Sequence, residues 1–139
     1  MRELDPRRLA RWYVVLVGAL LLAEGSALLV IDRLDLNAVI ATNDSRHNLL
    51  HVVWGIALLA LVLAHREVFG ALLFGAFYVA LGVLGLVLSN PLGLLLGPGE
   101  NAFHFVVGPL ALLFGLWAYR SNSASSAWTF RPTSAGGGG

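Results

Sequence analysis

The sequence predicts an all-α fold: an integral membrane four-helix bundle made of two repeated helical hairpins. Three observations predict it. The 139 residues are 58% hydrophobic and only 12% charged, whereas an average soluble domain is about 45–50% apolar and about 25% charged. The apolar residues fall in four blocks, each near the length of about 20 residues that crosses a bilayer as a helix. A short polar motif also occurs twice, once before the second block and once before the fourth.

The same composition excludes several classes of protein. A water-soluble single domain of this length cannot bury so much apolar surface, and so hydrophobic a chain is not intrinsically disordered. The net charge of +1 excludes a strongly basic protein that binds nucleic acid. The chain has no cysteine, so disulfide bonds and thiolate metal sites are excluded.

Taken in order, the four blocks each have features of a membrane-spanning helix. The spans are expected at about 12–31, 48–64, 68–89 and 101–119, within a transmembrane domain of residues 1–120. The first contains one charge, Glu24, and Asp44 and Ser45 are N-cap candidates for the second. Asn90 precedes a proline, which favours the end of the third helix there. Pro109 is expected to kink the fourth helix.

The arginines predict the orientation of the bundle. Seven of them lie on one side if there are four spans: Arg2, Arg7, Arg8, Arg11, Arg66, Arg120 and Arg131. Only Arg33 and Arg46 lie on the other side. Because cytoplasmic loops carry an excess of basic residues, we expect a multi-pass protein of the bacterial inner (cytoplasmic) membrane with both termini cytoplasmic. The Ser- and Gly-rich tail, residues 121–139, is then cytoplasmic and is expected to be disordered on its own.

The repeated motif indicates an internal duplication. The strings HNLLHVVWG and ENAFHFVVG share the pattern N-x-x-H-x-V-x-G. One shift of 53 residues (101 − 48) places Asn48 on Asn101, His51 on His104, Gly55 on Gly108, Gly18 on Ala71 and Asn37 on Asn90. Both hairpins enter from the same side, so the repeat is parallel, with a pseudo-twofold axis along the membrane normal.

The motif places polar side chains on the first turns of the second and fourth helices: His47, Asn48, His51, Glu100, Asn101 and His104. Residues four apart share one face of a helix. At 1.5 Å per residue, Glu24 lies about 10 Å from the outer end of the first helix, and His51 and His104 lie roughly 5–10 Å deep. We therefore expect Glu24, His51 and His104 to lie close together.

Three interpretations of this cluster remain open. In the first, it is a structural polar network in which each histidine bonds an Asn or Glu24, and each pair stabilises the bundle by about 0.6 kcal/mol. Asn48 and Asn101 belong to that network, and Gly55 and Gly108 let the helices approach closely.

In the second interpretation, the cluster binds a cofactor or a metal. His47 with His51, and Glu100 with His104, each offer two ligands at positions i and i+4, which suits Zn²⁺ or another divalent ion, with Glu24 as a further ligand. Alternatively, His51 and His104 ligate one haem iron, or a single histidine holds the magnesium of a chlorophyll-type pigment.

In the third interpretation, the cluster handles protons, because histidine changes charge near pH 6.5. Nothing polar continues through the inner halves of the second and fourth helices. The sequence therefore predicts a blind path rather than a conduit.

At the motifs HNLLH and ENAFH, the chain resembles a family of small four-helix bacterial membrane proteins of unknown function, whose members carry paired N-x-x-H motifs such as HNLLHL and DNVLHL. The resemblance covers roughly residues 10–120, and Asn48, His51, Asn101 and His104 match the pattern. Glu100 stands where an aspartate is common in the family. The resemblance implies a four-helix bundle and no established activity.

These observations favour a non-catalytic membrane protein that serves as an accessory or scaffold subunit of a larger respiratory or photosynthetic complex. The short loops leave no room for an extramembrane catalytic domain, and Trp128 and Phe130 in the tail favour contact with a partner subunit. The alternative is a stand-alone protein that binds haem, a pigment or a divalent metal through His51 and His104.

Overall fold

The structure, a computed structural model, describes residues 5–34, 44–88 and 90–127. Four α-helices follow one another in these ranges: α1 (Pro6–Arg33), α2 (Ser45–Leu63), α3 (Glu67–Val87) and α4 (Pro98–Ala127), with a single 3₁₀ turn at Pro91–Gly93 before α4. These residues contain no strand. Each helix is long and apolar enough to cross a membrane, so the all-α membrane bundle is confirmed.

Local signals in the sequence set the helix boundaries. The side chain of Asp5 accepts a hydrogen bond from the Arg7 amide, and Asp44 caps α2 in the same way. Ser45 is therefore the first residue of α2 rather than its cap, and its hydroxyl donates to Asp32 at the end of α1. All four helices begin before their predicted spans, and α1 and α4 also end beyond theirs, whereas α2 and α3 end one and two residues short.

The predicted boundary of the tail is wrong in one respect. α4 remains helical on both sides of Pro109 and continues past residue 121 to Ala127. The hydroxyls of Ser121 and Ser123 donate to carbonyl oxygens one turn earlier, at Trp117 and Tyr119. The first part of the predicted tail is thus helical, while Trp128 and Phe130 lie outside the described residues.

The helices pair as two hairpins, because α1 packs mainly on α2 and α3 mainly on α4. Glycines let the paired backbones approach. A Cβ on Gly55 would lie 2.7 Å from the Leu22 nitrogen, and one on Gly108 would lie 2.9 Å from the Val79 nitrogen. The hairpins join through their inner faces, where the Tyr13 hydroxyl of α1 donates to the Val107 carbonyl of α4.

The centre of the bundle is apolar and aromatic. Leu21, Leu58, Phe74 and Tyr78 are buried, and the Phe74 and Tyr78 rings lie 4.0 Å apart. Large apolar side chains also cover the outside of all four helices. That surface has no counterpart in a soluble monomer and fits lipid as the surrounding solvent.

The alternating helix directions give the bundle two chemically different ends. We call one the arginine end; it carries the starts of α1 and α3, the end of α2, and Arg7, Arg8, Arg11, Arg66 and Arg120. We call the other the histidine end; it carries the end of α1 and the starts of α2 and α4.

Candidate functional site

Three histidines converge at the histidine end. His47 and His51 come from successive turns of α2, and His104 comes from the second turn of α4. Each offers one nitrogen, and these three atoms lie within 4.8 Å of one another. The ring centroids of His47 and His51 are 4.5 Å apart, and those of His47 and His104 are 5.7 Å apart. The structure thus brings together the two halves of the repeated motif.

The three imidazoles are buried, and most of their nitrogen atoms lack a hydrogen-bond partner. The exposed fraction is 5% for His47, 5% for His51 and 0% for His104. The unpartnered atoms are Nε2 of His47 and both ring nitrogens of His51 and His104. Native proteins rarely leave buried polar atoms in this state, because each costs about 1–3 kcal/mol. Apart from the contact of His51 with Glu24, these nitrogens form none of the bonds that a structural network would require.

A carboxylate from each hairpin lies beside the histidines. Glu24 of α1 places Oε2 3.3 Å from Nδ1 of His51, and its side chain is 42% exposed. This is an ion-pair distance rather than an aligned hydrogen bond. Glu100 lies in the first turn of α4, four residues before His104. Glu24, predicted from depth alone to approach His51, does so.

A cavity of about 350 Å³ connects these groups with the surface. Its walls are formed by both glutamates, the three histidines, Phe103 and residues 97–99. Pro98 and Gly99 on the rim are exposed, so the cavity is accessible from the histidine end. A small ion or a water-sized molecule can reach the imidazoles from there.

The inner side of the cavity is closed by aromatic rings. Tyr78 of α3 is buried and lies edge-on to His104, with ring centroids 5.0 Å apart. Phe74 lies directly beneath Tyr78. Beneath these rings the core is apolar apart from Tyr13 and Trp54, and the Tyr13 hydroxyl donates to the Val107 carbonyl.

Sequence reasoning missed Tyr78 and Phe103 as neighbours of the histidines. One signal was available for Tyr78: a hydroxyl in the middle of an apolar span is costly unless it has a local role. Its hydroxyl oxygen is buried without a partner. Phe103 gave no such signal, because an aromatic residue in an apolar span is ordinary packing.

The remaining predicted residues lie beside the cavity rather than in its wall. Asn48 and Asn101 are buried on the helix faces that meet Gly25 of α1 and Gly85 of α3. Gly55 and Gly108 lie about two turns further along, where a Cβ would meet the backbone of the paired helix. These four residues position the turns that carry the histidines.

The geometry suits a small ion better than a macrocycle. A tetrahedral centre with ligand bonds of 2.0–2.1 Å holds its nitrogens roughly 3.3 Å apart. Side-chain rotations that move each nitrogen by about an ångström bring the three atoms to that spacing. A haem would need the imidazoles of His51 and His104 on opposite faces of a flat ring. His47 packs against both of them instead.

Comparison with models of protein families, with curated proteins and with solved structures finds no match to this chain. The family resemblance of the N-x-x-H motifs therefore stays a prediction, and the chemistry of the site has to be argued from its own residues.

Proposed function

We propose that this is an integral membrane protein that binds one divalent transition-metal ion of the zinc class through His47, His51 and His104. One observation carries the proposal: five buried nitrogen atoms from three converging histidines form no aligned hydrogen bond, and of these only Nδ1 of His51 has an ion-pair contact, with Glu24. A metal ion is the partner that would satisfy one nitrogen of each ring, because neutral imidazole is a preferred ligand of Zn²⁺, Cu²⁺ and Ni²⁺.

The carboxylates have separate roles in this proposal. A metal-bound histidine commonly donates its other ring N–H to a carboxylate, and this bond fixes the tautomer and orientation of the ring. Glu24 contacts Nδ1 of His51 in that way, which leaves Nε2 for the ion. Glu100, on the same cavity wall as His104, supplies the fourth ligand or borders a bound water.

The small ion takes the place of the haem that the sequence left open between His51 and His104, for the geometric reason given above. The predicted role as a non-catalytic accessory subunit stays a prediction, since no contact or surface among the described residues bears on a partner subunit. Three histidines with a fourth open position are compatible both with holding an ion and with activating a bound water.

We also propose that the two hairpins are structural repeats. The shift in sequence that relates α1 to α3 differs from the one that relates α2 to α4, which the sequence comparison did not resolve. Gly25 faces the Cβ of His51, and Gly82 faces the Cβ of His104. α2 and α4 therefore correspond with the shift of 53, whereas α1 and α3 correspond with a shift of 57 (82 − 25), about one helical turn more. This offset replaces the pairing of Gly18 with Ala71, and Asn37 lies outside the described residues.

The offset has a chemical consequence, because it places Leu81 at the position of Glu24. Only the first hairpin then supplies a carboxylate from its leading helix. A nearly symmetric bundle thereby acquires an asymmetric site, with an acid on one side of the histidines and an apolar residue on the other.

We propose, from the arginine distribution, that the histidine end faces outward from the cytoplasm and that both termini lie inside. In a bacterial inner membrane the metal site would then exchange ions with the external side. The aromatic floor at Tyr78 is consistent with binding rather than conduction.

The decisive experiment measures metal on the purified protein. The chain in mild detergent is treated with a chelator, equilibrated with Zn²⁺, freed of excess ion and assayed by elemental analysis. We expect about one ion per chain, because three histidines form one site. His104→Ala should lose the ion, and Glu24→Gln should weaken its binding by about 10–100-fold, as removal of an outer-shell partner does.

His65→Gly is the matched control, since it removes the fourth histidine, at the arginine end. Its backbone φ of 56° is one that glycine adopts without strain. This variant should bind Zn²⁺ like the unmodified chain. A metal content that does not change with His104→Ala, or a haem absorption band on the purified protein, would contradict the proposal.

A further inference from the structure

The arginine end contains a second cavity whose walls combine two kinds of chemistry. It measures about 420 Å³ and lies where the starts of α1 and α3 meet the last turns of α4. Basic side chains form one wall, namely Arg7, His65 and Arg66. The opposite wall is apolar and includes Phe69, Leu72 and Tyr119.

An adjoining cavity of about 340 Å³ extends the basic wall. It shares Arg7 and His65 with the first and adds Arg8 and Arg11. The acids beside this wall are Asp5 and Glu67. Glu67 is only 3% exposed and is bound by the Nε of Arg7 at 2.7 Å, so it lies beneath the surface rather than on it. The face that a ligand meets is therefore positively charged.

His65 occupies an unusual position in this wall. The turn after α2 closes with the Arg66 amide donating to Leu61 and the His65 amide donating to Val62, the bond pattern that ends many helices. The residue at the position of His65 is usually glycine, yet here an exposed imidazole has a φ of 56°. A side chain held at a backbone conformation that disfavours it points to a role for the imidazole itself.

The apolar wall faces the surroundings of the bundle. Phe69 is 56% exposed and lies in the first turn of α3, and Tyr119 is 58% exposed and lies two residues before the end of the candidate membrane span at Ser121. In a membrane this is the level where lipid headgroups meet acyl chains, and basic pockets between helices at this level bind anionic headgroups.

We propose that this cavity binds an anionic phospholipid. Its phosphate is held by Arg66, His65 and the outer nitrogens of Arg7, since guanidinium groups match phosphate oxygens in geometry and charge. Its acyl chain lies along Phe69, Leu72 and Tyr119. A free phosphate ion would use only the basic wall, which makes the two sources distinguishable.

The test measures lipid retention by native mass spectrometry of the protein released from mixed micelles of phosphatidylglycerol and phosphatidylcholine. The variant is the double substitution His65→Gly with Arg66→Gln, which avoids the buried pair of Arg7 and Glu67. Arg33→Gln is the control, because it removes one arginine at the histidine end. A second arm measures the melting temperature with phosphatidylglycerol, phosphatidylcholine or inorganic phosphate.

We expect the unmodified chain and Arg33→Gln to retain phosphatidylglycerol over phosphatidylcholine, and the double variant to lose that preference at least about fivefold, the effect of losing one to two charge-assisted contacts. Phosphatidylglycerol alone should raise the melting temperature. Equal retention of the two lipids, unchanged retention by the double variant, or an equal rise with inorganic phosphate would each overturn the proposal. None of these results depends on the metal site at the other end.

Discussion

The two ends of the bundle bury ionisable side chains in opposite ways. At the arginine end, the buried carboxylate of Glu67 accepts a hydrogen bond from Arg7 at 2.7 Å, which ties α3 to α1. At the histidine end, His47, His51 and His104 converge with five of their nitrogen atoms unpartnered. The same chain therefore pairs one buried group and leaves others unpaired.

This difference distinguishes buried polar groups that stabilise the fold from buried polar groups that lower its stability. A buried charge that stabilises a fold needs a partner inside the fold, and Glu67 has one at Oε1, although its Oε2 is buried without a hydrogen-bond partner. Buried polar atoms without partners lower the stability, so they persist where something else compensates. At the histidine end, three imidazoles lie beside two carboxylates, and the compensation that we propose is a bound metal ion.

The largest expected effect tests the ion pair of Arg7 and Glu67 at the arginine end. Arg7→Ala leaves the carboxylate of Glu67 buried with no cation beside it. We expect the free energy of unfolding to fall by about 3 kcal/mol, the lower end of the range for breaking a buried pair, because Arg7 itself is half exposed. Chemical unfolding of the protein in detergent, followed by circular dichroism, measures the loss.

Two companion variants assign that loss to the pair. Adding Glu67→Gln to Arg7→Ala removes the stranded charge and should recover most of the stability. Arg8→Ala removes an exposed neighbour and should change the stability by less than about 0.5 kcal/mol. If Arg7→Ala and Arg8→Ala behave alike, the ion pair does not hold the two helices together.

An effect of intermediate size is expected when a glycine at a helix contact is replaced by alanine, and it can be compared between the two ends. Gly25→Ala would place a Cβ 2.6 Å from the Asn48 carbonyl oxygen and 2.9 Å from the Cβ of His51, both on α2. The backbone of α2 cannot yield as a side chain does, so we expect a loss of about 2 kcal/mol from overpacking. Zn²⁺ affinity should fall as well, because His51 is displaced from His47 and His104.

Gly70→Ala is the matched substitution at the arginine end. Its Cβ would meet the flexible tip of Leu61 at 3.3 Å, and alanine favours the helix over glycine by about 1 kcal/mol. We expect near-normal or slightly raised stability and unchanged Zn²⁺ affinity. Equal losses in the two variants would show that the close approach at Gly25 does not position the histidines.

Much of the architecture was predictable because it depends on composition and short-range signals. Apolar blocks give the four helices, and the side chain of Asp44 marks the start of α2, whereas α3 ends at Val87, three residues before the boundary expected at Asn90. The proximity of Glu24 and His51 followed from the rise of a helix alone. Each of these features is fixed by residues close in sequence or by the thickness of the membrane.

The features that were missed depend on contacts between helices. His47 could be placed on the face of His51, but its contact with His104 depends on how α2 and α4 are arranged in the bundle. In the repeat that we propose, Tyr78 belongs to a helix whose offset from α1 differs by one turn from the offset of the motifs. The helix at Ser121 and Ser123 was missed because a serine-rich composition resembles a disordered tail, although hydroxyls can bond back to the preceding turn.

The smallest expected effect tests the histidine end, and the sign of the change in the free energy of unfolding is what distinguishes the interpretations. His104→Leu replaces a fully buried imidazole, whose two nitrogens lack partners, by an apolar side chain of similar size. In chelator-treated protein we expect the free energy of unfolding to rise by about 1 kcal/mol, because removing unsatisfied buried polar atoms is favourable. A structural network would give the opposite sign, since its hydrogen bonds would be lost.

Adding Zn²⁺ should reverse the order of the two proteins. A ligand at 100 times its dissociation constant stabilises the form that binds it by about 2.7 kcal/mol, so the unmodified chain should overtake His104→Leu, which has lost a ligand. Melting curves with and without the ion, with His65→Gly alongside as the variant that keeps all three ligands, measure this crossover. If His104→Leu is less stable under both conditions, the histidines hold the helices together and the contrast between the two ends disappears.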